Sequence, residues 1–237
     1  MIRTATAEDL PAVAGIWEAA FQDPAEYIRF FLQNLFQPER CLLSLDDKGR
    51  PVAMLHRIPA EYVGPAGQSG PVQYIYAAAT LPPYRRQGRM AALIGRADAL
   101  GSAGGCRFTF LLPASESLYR YYASHGFSPG FYAKRISVDR GRLAVAAGSA
   151  APASLKPASM AEIFQKRREL FPPAVLWGPE MLSYAICEWK YGGGELLTFE
   201  GGYCLCRHTG GRVRVQETCV EPAVWPRVAA LLLRRYP

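Results

Sequence analysis

The sequence predicts a mixed α/β (α+β) fold: a mostly antiparallel sheet flanked by helices, followed by a second, truncated unit of similar order. Three observations predict it. Residues 74–105 read as an uncharged strand, a proline-ended basic turn and an Ala/Leu/Ile-rich helix. The elements up to and including that strand read β-α-α-β-β-β, and those late in the chain read α-α-β-β-β-α. Between the two series, residues 139–153 are rich in Ala, Gly and Ser, which marks a connection. The expected domains are 1–140 and 141–237.

Ile2 to Thr4 is a short first strand. Thr6 then stands as an N-cap with Glu8 and Asp9 in the first turn of a helix. Leu10, Val13, Trp17, Ala20 and Phe21 follow helical spacing, and Ile28, Phe31, Leu32 and Leu35 mark a second helix over 24–36. Cys41–Leu45 and Pro51–Ile58 are strands joined by an Asp46–Arg50 turn, a hairpin signal. A Gly/Pro/Ser loop at 64–71 leads into the central strand, Tyr74–Thr80. That strand carries no charge, so both its faces are expected to be covered. Pro82 and Pro83 end it, because proline cannot donate to a sheet ladder.

The helix over 89–100 is followed by a Gly101–Gly105 turn, a strand over Cys106–Leu112, a helix over Ser115–Ser124 and a closing strand over Phe131–Val138. In the second unit a short strand is expected at Arg142–Val145 and helices over 159–170 and 179–191. Strands follow at Glu195–Phe199, Tyr203–His208 and Arg212–Val220, then a helix over 224–235. Glycine pairs punctuate the strands.

The chain has 237 residues, half of them hydrophobic and a fifth charged, a normal globular balance. The first residues show no signal-peptide pattern and no apolar run reaches membrane-span length, so a cytoplasmic location is expected and no membrane partner. The net charge of +7 is spread over the chain without a long basic run. It suits an anionic cofactor, and a nucleic-acid partner is only weakly signalled.

The six cysteines form no Cys-x-x-Cys pair. Cys204, Cys206 and His208 alternate along one strand face, but at ~3.3 Å per residue the outer two lie ~13 Å apart. Ligands of one zinc must lie within ~5 Å of each other. No metal site is expected, and the thiols are read as reduced and partly buried.

The turn before the central helix carries chemistry. A helix start has unpaired N–H groups and partial positive charge. Gly88 removes a side chain where a ligand would come close, and Arg85, Arg86 and Arg89 add formal charge. That combination is an anion site, with a diphosphate as its natural guest.

These residues resemble the cofactor signature of the GNAT superfamily of N-acetyltransferases, Gln/Arg-x-x-Gly-x-Gly/Ala after a strand that ends in a proline turn. Arg85 and Gly88 match, and Met90 departs from the final Gly/Ala, as in the enhanced-intracellular-survival group. The family's later Tyr-x-x-x-Gly-Phe falls on Tyr122, Gly126 and Phe127. The resemblance implies acetyl-CoA as cosubstrate. Backbone groups near Ala78, Ala79 and Thr80 would hold its pantetheine arm, and Arg85, Arg86, Gln87, Gly88, Arg89 and Met90 its diphosphate. Ser115 stands where the family often has an Asn near the cofactor. Tyr122 becomes the general acid beside the thioester sulfur, and a backbone N–H near Ala79 or Thr80 serves the oxyanion.

The first two helices would wall the acceptor cleft. The base stays open among Asp23, Glu26, His56, Glu61 and a water relay, because the central strand offers Tyr74 and Tyr76 where many family members have Glu. His125 is read as a helix cap. The resemblance implies direct acetyl transfer to a primary amine of a small molecule or peptide, with a homodimer possible. The alternatives are transfer of a larger acyl group and a non-catalytic CoA-binding or regulatory module. The second unit resembles a degenerate GNAT repeat: its third strand runs into Glu221-Pro222-Ala223, with no Gly or Arg cluster to cradle a phosphate.

Overall fold

The computed structural model describes residues 1–65, 67–132, 136–170 and 173–237. They divide into two compact units, 1–130 and 131–237. The join expected at 140/141 instead falls in the first turn of a helix. That helix is anchored in the second unit, because the Arg140 guanidinium donates to the carbonyls of Leu233 and Tyr236.

The first unit runs β1 (Ile2–Thr4), α1 (Leu10–Phe21), α2 (Ala25–Asn34), β2 (Cys41–Leu45), β3 (Pro51–Val63), β4 (Ser69–Thr80), α3 (Arg89–Ala103), β5 (Thr109–Phe110) and α4 (Glu116–Ala123). Its strands lie in the order β1-β2-β3-β4-β5. The first four are antiparallel, and β5 runs parallel to β4. The β2–β3 turn is held by Asp46, whose carboxylate accepts from the amides of Lys48 and Arg50. The chain enters α1 over a reciprocal cap at Thr6 and Asp9. Arg3 grips the Asp9 carboxylate at 2.6 and 2.7 Å, which holds its pKa down at about 2.

Strand alternation sends successive side chains to opposite faces. One face packs Leu42, Ala53, Leu55 and Ile75 against Leu93, Ile94 and Ala97 of α3 and Tyr122 of α4. The other meets α1 and α2 through an aromatic layer. Trp17 lies 4.6 Å from Phe31 and 5.8 Å from Tyr76, and Phe31 lies 5.1 Å from His56, centroid to centroid. Both faces of β2 are covered, and all five of its residues are buried.

The strand expected over Cys106–Leu112 pairs at only two rungs, Gln73↔Thr109 and Tyr74↔Phe110. The closing strand expected over Phe131–Val138 lies partly outside the described residues, at 133–135, and the described parts 131–132 and 136–138 are in no strand.

The second unit holds α5 (Arg140–Ala147), α6 (Met160–Leu170), β6 (Ala174–Trp177), α7 (Pro179–Tyr191), β7 (Glu195–Phe199), β8 (Gly202–Thr209), β9 (Arg212–Val220) and α8 (Trp225–Arg235). The strand expected at Arg142–Val145 is therefore helix. Asp139 caps it, accepting from the Arg142 amide at 2.8 Å, and the alanines in it are strong helix formers. β6 was not expected. β7-β8-β9 form an antiparallel sheet. Leu197, Phe199, Cys204 and Cys206 pack on α8, whereas Tyr203, Leu205 and Cys219 pack on α6 and α7. Arg167 of α6 holds both oxygens of Glu217 at 2.8 Å, and the Tyr203 hydroxyl donates to the same carboxylate.

One side chain ties the layers of the first unit together. Gln73 is 3% exposed, and its amide reaches α3, β3 and β5 at once. Gly101 of α3 leaves room for it: a Cβ there would stand 2.4 Å from Gln73 Nε2 and 2.7 Å from its Cδ. Because Gln73 is pinned by its own bonds, Gly101→Ala is expected to destabilise the first unit by about 1–3 kcal/mol. Thermal unfolding checks this, and an unchanged midpoint would show that Gln73 yields.

Candidate functional site

The site is built where β4 outruns β5. β4 keeps its pairing with β3 up to Thr80↔Ala53, but β5 leaves it after Tyr74↔Phe110. Beyond that rung the strands part, and Leu112 is 75% exposed. Six residues of β4 remain beyond it, a slot edge of about 20 Å at the usual strand rise.

A bulge sets which groups face the slot. The β3–β4 register shifts between Met54↔Ala79 and His56↔Tyr76, so Leu55 stands against both Ala77 and Ala78. Ala77 takes φ +48°, the left-handed region. A bulge bends its strand and re-aims the residues beyond it. The Leu81 amide donates to Val52 of β3. By alternation, the backbone polar groups of Ala79 also face β3, and those of Ala78 and Thr80 face the open edge. Ala78 and Thr80 thus lie on the open edge, whereas Ala79 faces β3 and is buried.

The turn from β4 into α3 forms a cradle of backbone amides. Arg86 (φ +59°) and Gly88 (φ +72°) are both left-handed, the backbone type that makes concavities of N–H groups. Gly88 is the N-cap of α3, and a Cβ there would meet nothing within 4 Å. The Ala92 amide is the first to bond back into the helix, to the Gly88 carbonyl at 3.0 Å. Among the described residues, no acceptor takes the amides of Arg86 to Ala91. A row of unpaired donors at a helix start suits a phosphate group.

The three arginines of this turn do different work. Arg85 Nε donates to the Thr80 carbonyl at 3.0 Å, binding the turn to the end of β4. Arg89 faces β2, donating to the Leu45 carbonyl at 3.0 Å and lying over the Tyr84 ring. Its guanidinium is thus a tie between α3 and the sheet, although its amide stays in the cradle. Arg86 is exposed with no side-chain partner among the described residues. Gln87 donates to the Pro83 carbonyl at 3.1 Å.

Tyr122 comes from α4, whose N-cap is Ser115. The Ser115 hydroxyl accepts from the Leu118 amide at 3.4 Å and lies 2.9 Å from the Ser117 hydroxyl, so it serves the helix start. The Tyr122 ring is buried in the apolar cluster that also contains Ala78 and Met90. Phe127, packed on it at 5.8 Å, comes from the turn after α4. Among the described residues nothing bonds the Tyr122 hydroxyl. Burial, with Tyr121 beside it, holds its pKa above that of an ordinary phenol, so it keeps its proton. Slot edge, cradle and Tyr122 therefore gather on the α3 side of the sheet.

The candidate bases lie elsewhere. His56 is 2% exposed, ringed by Trp17, Phe31 and Phe36, and neither ring nitrogen has a hydrogen-bond partner of good geometry. Burial pushes its pKa down to about 4. It is neutral and sealed within the aromatic layer. Asp23 is half-buried and accepts from the Trp17 indole at 2.9 Å. Glu26 is exposed in the first turn of α2, and Glu61 is half-buried on β3. His125 Nε2 is buried without a partner, and its ring lies 4.5 Å from Tyr121. In the second unit, Cys204 and Cys206 are buried and His208 is exposed beside Tyr236.

The Ala77 bulge and the Gln73 bridge had no motif to announce them. The run of three alanines, 77–79, is the one sequence feature that hints at a close backbone approach there.

A family model described as the acetyltransferase (GNAT) domain matches residues 1–130. No curated protein matches the sequence. Among solved structures, one of Mycobacterium abscessus Eis1 superposes with a TM-score of 0.69 at 15% identity, over 98% of this chain and 62% of that one. A protein of Enterococcus faecalis V583 described as a probable N-acyltransferase gives 0.74 at 16%, over 100% and 62%. A GCN5-related N-acetyltransferase from Anabaena variabilis gives 0.71 at 15%, over 100% and 63%. The chain thus spans about three fifths of the length of these proteins, whose fold it shares.

Proposed function

Because the chain belongs to the acetyltransferase (GNAT) family, we propose that it transfers an acetyl group from acetyl-CoA directly to a primary amine of a small molecule or peptide. The observation that carries this reading is the parting of β4 from β5 beside the unpaired amides of Arg86 to Ala91. The two features together suit a ligand with a polar arm and a diphosphate. In this reading Arg86 to Met90 hold the diphosphate. Ala78 and Thr80 pair with the arm, Arg85 braces the end of β4, and Arg89 fixes α3 to β2.

The neutral amine attacks the thioester carbonyl, and an edge amide of β4 meets the developing oxyanion. As the tetrahedral centre collapses, the C–S bond breaks and Tyr122 gives its proton to the leaving thiolate. The amine sheds its proton to water or to a carboxylate on the α1–α2 side, where Asp23 is fixed by the Trp17 indole. We read the second unit, taken as the domain after the catalytic one, as a degenerate GNAT-like repeat with a structural or substrate-shaping role. The chain between β9 and α8 is a short turn over Pro222–Val224 with no left-handed residue, so it lacks the backbone of the cradle.

Calorimetric titration with acetyl-CoA tests the cofactor site. The wild-type chain is expected to bind saturably. The double variant Arg86→Glu/Gly88→Glu, which puts negative charge into the cradle, is expected to bind about 100-fold more weakly or not at all. An unchanged unfolding midpoint in the variant would assign the loss to the site. Equal binding by both chains would remove the diphosphate from this turn.

A further inference from the structure

We infer that Gln73 is a positioning residue: it pins β5 to β4 at the last two rungs and so sets where the slot begins. The inference rests on the cofactor reading above. Gln73 stands on the rung Gln73↔Thr109, one residue before β4 and β5 part. Its side chain is held by three neighbours from three elements. Nε2 donates to the Thr109 hydroxyl of β5 at 2.8 Å and to the Ala97 carbonyl of α3 at 2.8 Å. Oε1 accepts from Arg57 Nε of β3 at 3.0 Å. Its own amide adds a bond to the Phe108 carbonyl at 3.3 Å.

β5 is only two residues long and pairs with β4 at two rungs. The second of these is backed by Phe110 stacking on Tyr74 at 5.0 Å, so the Gln73–Thr109 bond is the side-chain tie at the first. A buried amide that loses its partners pays a desolvation penalty, so the Gln73 set holds together or fails together. The Ala97 bond adds a second consequence. α3 is the helix whose first turn forms the cradle, and Gly88 to Ala97 spans about 14 Å at the helical rise. One rigid helix therefore fixes the distance between the diphosphate cradle and the closed end of the slot. A pantetheine arm held at one end by the cradle must fit that distance, whereas the nucleotide end need not.

The test separates the two ends of the cofactor. Two ligands are titrated into the full chain: coenzyme A, and 3′-phosphoadenosine 5′-diphosphate, which carries the nucleotide and diphosphate but no pantetheine. Gln73→Leu removes all three side-chain bonds at similar volume. Thr109→Val removes only the one to β5 and serves if Gln73→Leu folds poorly. Each is expected to weaken coenzyme A by about tenfold, the size of one lost hydrogen bond, and to leave the nucleotide diphosphate within about twofold. A lowered unfolding midpoint with the ratio of the two affinities unchanged would overturn the inference, reducing Gln73 to a core bond. Equal weakening of both ligands would overturn it as well. If the wild-type chain binds neither ligand, the cofactor reading itself fails and takes this inference with it.

Discussion

Tyr122→Phe leaves acetyl-CoA binding intact and lowers kcat by about 10²–10⁴-fold, the usual worth of a positioned general acid. The expectation comes from where the hydroxyl stands. The ring is packed on Phe127 and Tyr121, so phenylalanine keeps the packing. The hydroxyl has no bond to lose among the described residues, so stability should hardly change. Its raised pKa means that the acid keeps its proton throughout the neutral range. Any loss of rate from its ionisation then appears only above pH ~10, the ordinary value for a phenol. An amine screen with stopped assays at saturating acetyl-CoA checks the loss, with calorimetry on the same variant. A variant as active as wild type would take the proton from Tyr122 and give it to water. A wild-type chain that binds acetyl-CoA but acetylates no amine would favour the binding-module reading, which Tyr74 and Tyr76 on the central strand, in place of a carboxylate, already suggest.

Folding stability should fall by about 3 kcal/mol between pH 7 and pH 4 because of His56. Its ring is sealed among Trp17, Phe31 and Phe36, and its partner across the β2–β3 ladder is Cys41. Burial pushes the Cys41 thiol up to about 12, so it too is neutral. Among the described residues no charged side chain rewards a proton on the imidazole, and the Tyr76 backbone offsets burial only in part. The folded pKa is about 4 against an ordinary 6.5. Above pH 6.5 neither state binds the proton and the stability is fully present. As pH falls below 6.5 the unfolded chain takes up a proton that the folded chain refuses, and stability drops until pH reaches about 4. Asp9, held down at about 2 by Arg3, acts lower, between its ordinary 3.8 and 2. Urea unfolding across this range checks the slope. His56→Phe, which keeps an aromatic ring in the cage, should flatten it between pH 6.5 and 4.5. An equally steep variant would show that the acid sensitivity comes from elsewhere.

Much of the candidate site was legible because its chemistry is local. Gly88 before an apolar-periodic helix, arginines beside it and prolines ending the strand are neighbours in sequence, and their conformations are set by backbone sterics and helix-end hydrogen bonding. Tyr122 with Gly126-Phe127 was legible as a spaced motif, and α3, α7, β7 and β9 were visible in their periodicity. The misreadings have physical causes too. Arg142–Val145 looks strand-like alone, but Asp139 offers a cap and the second unit offers α8 to pack on. Cys106–Leu112 has strand composition along its whole length, yet only two residues find a partner.

The sequence by itself determined the kind of fold, the place of the glycine turn that opens α3 and the residue types around it. All of these depend on residues within a turn or two of each other. The tertiary structure decided what depends on contacts across long separations. It turned Arg89 toward β2, faced Ala79 toward β3 through the bulge at Ala77, sealed His56 behind Trp17 and Phe31, and joined Gln73 to Ala97 and Thr109. A side chain's partner on another element is chosen by packing and register, and the composition of its own segment carries no record of that choice.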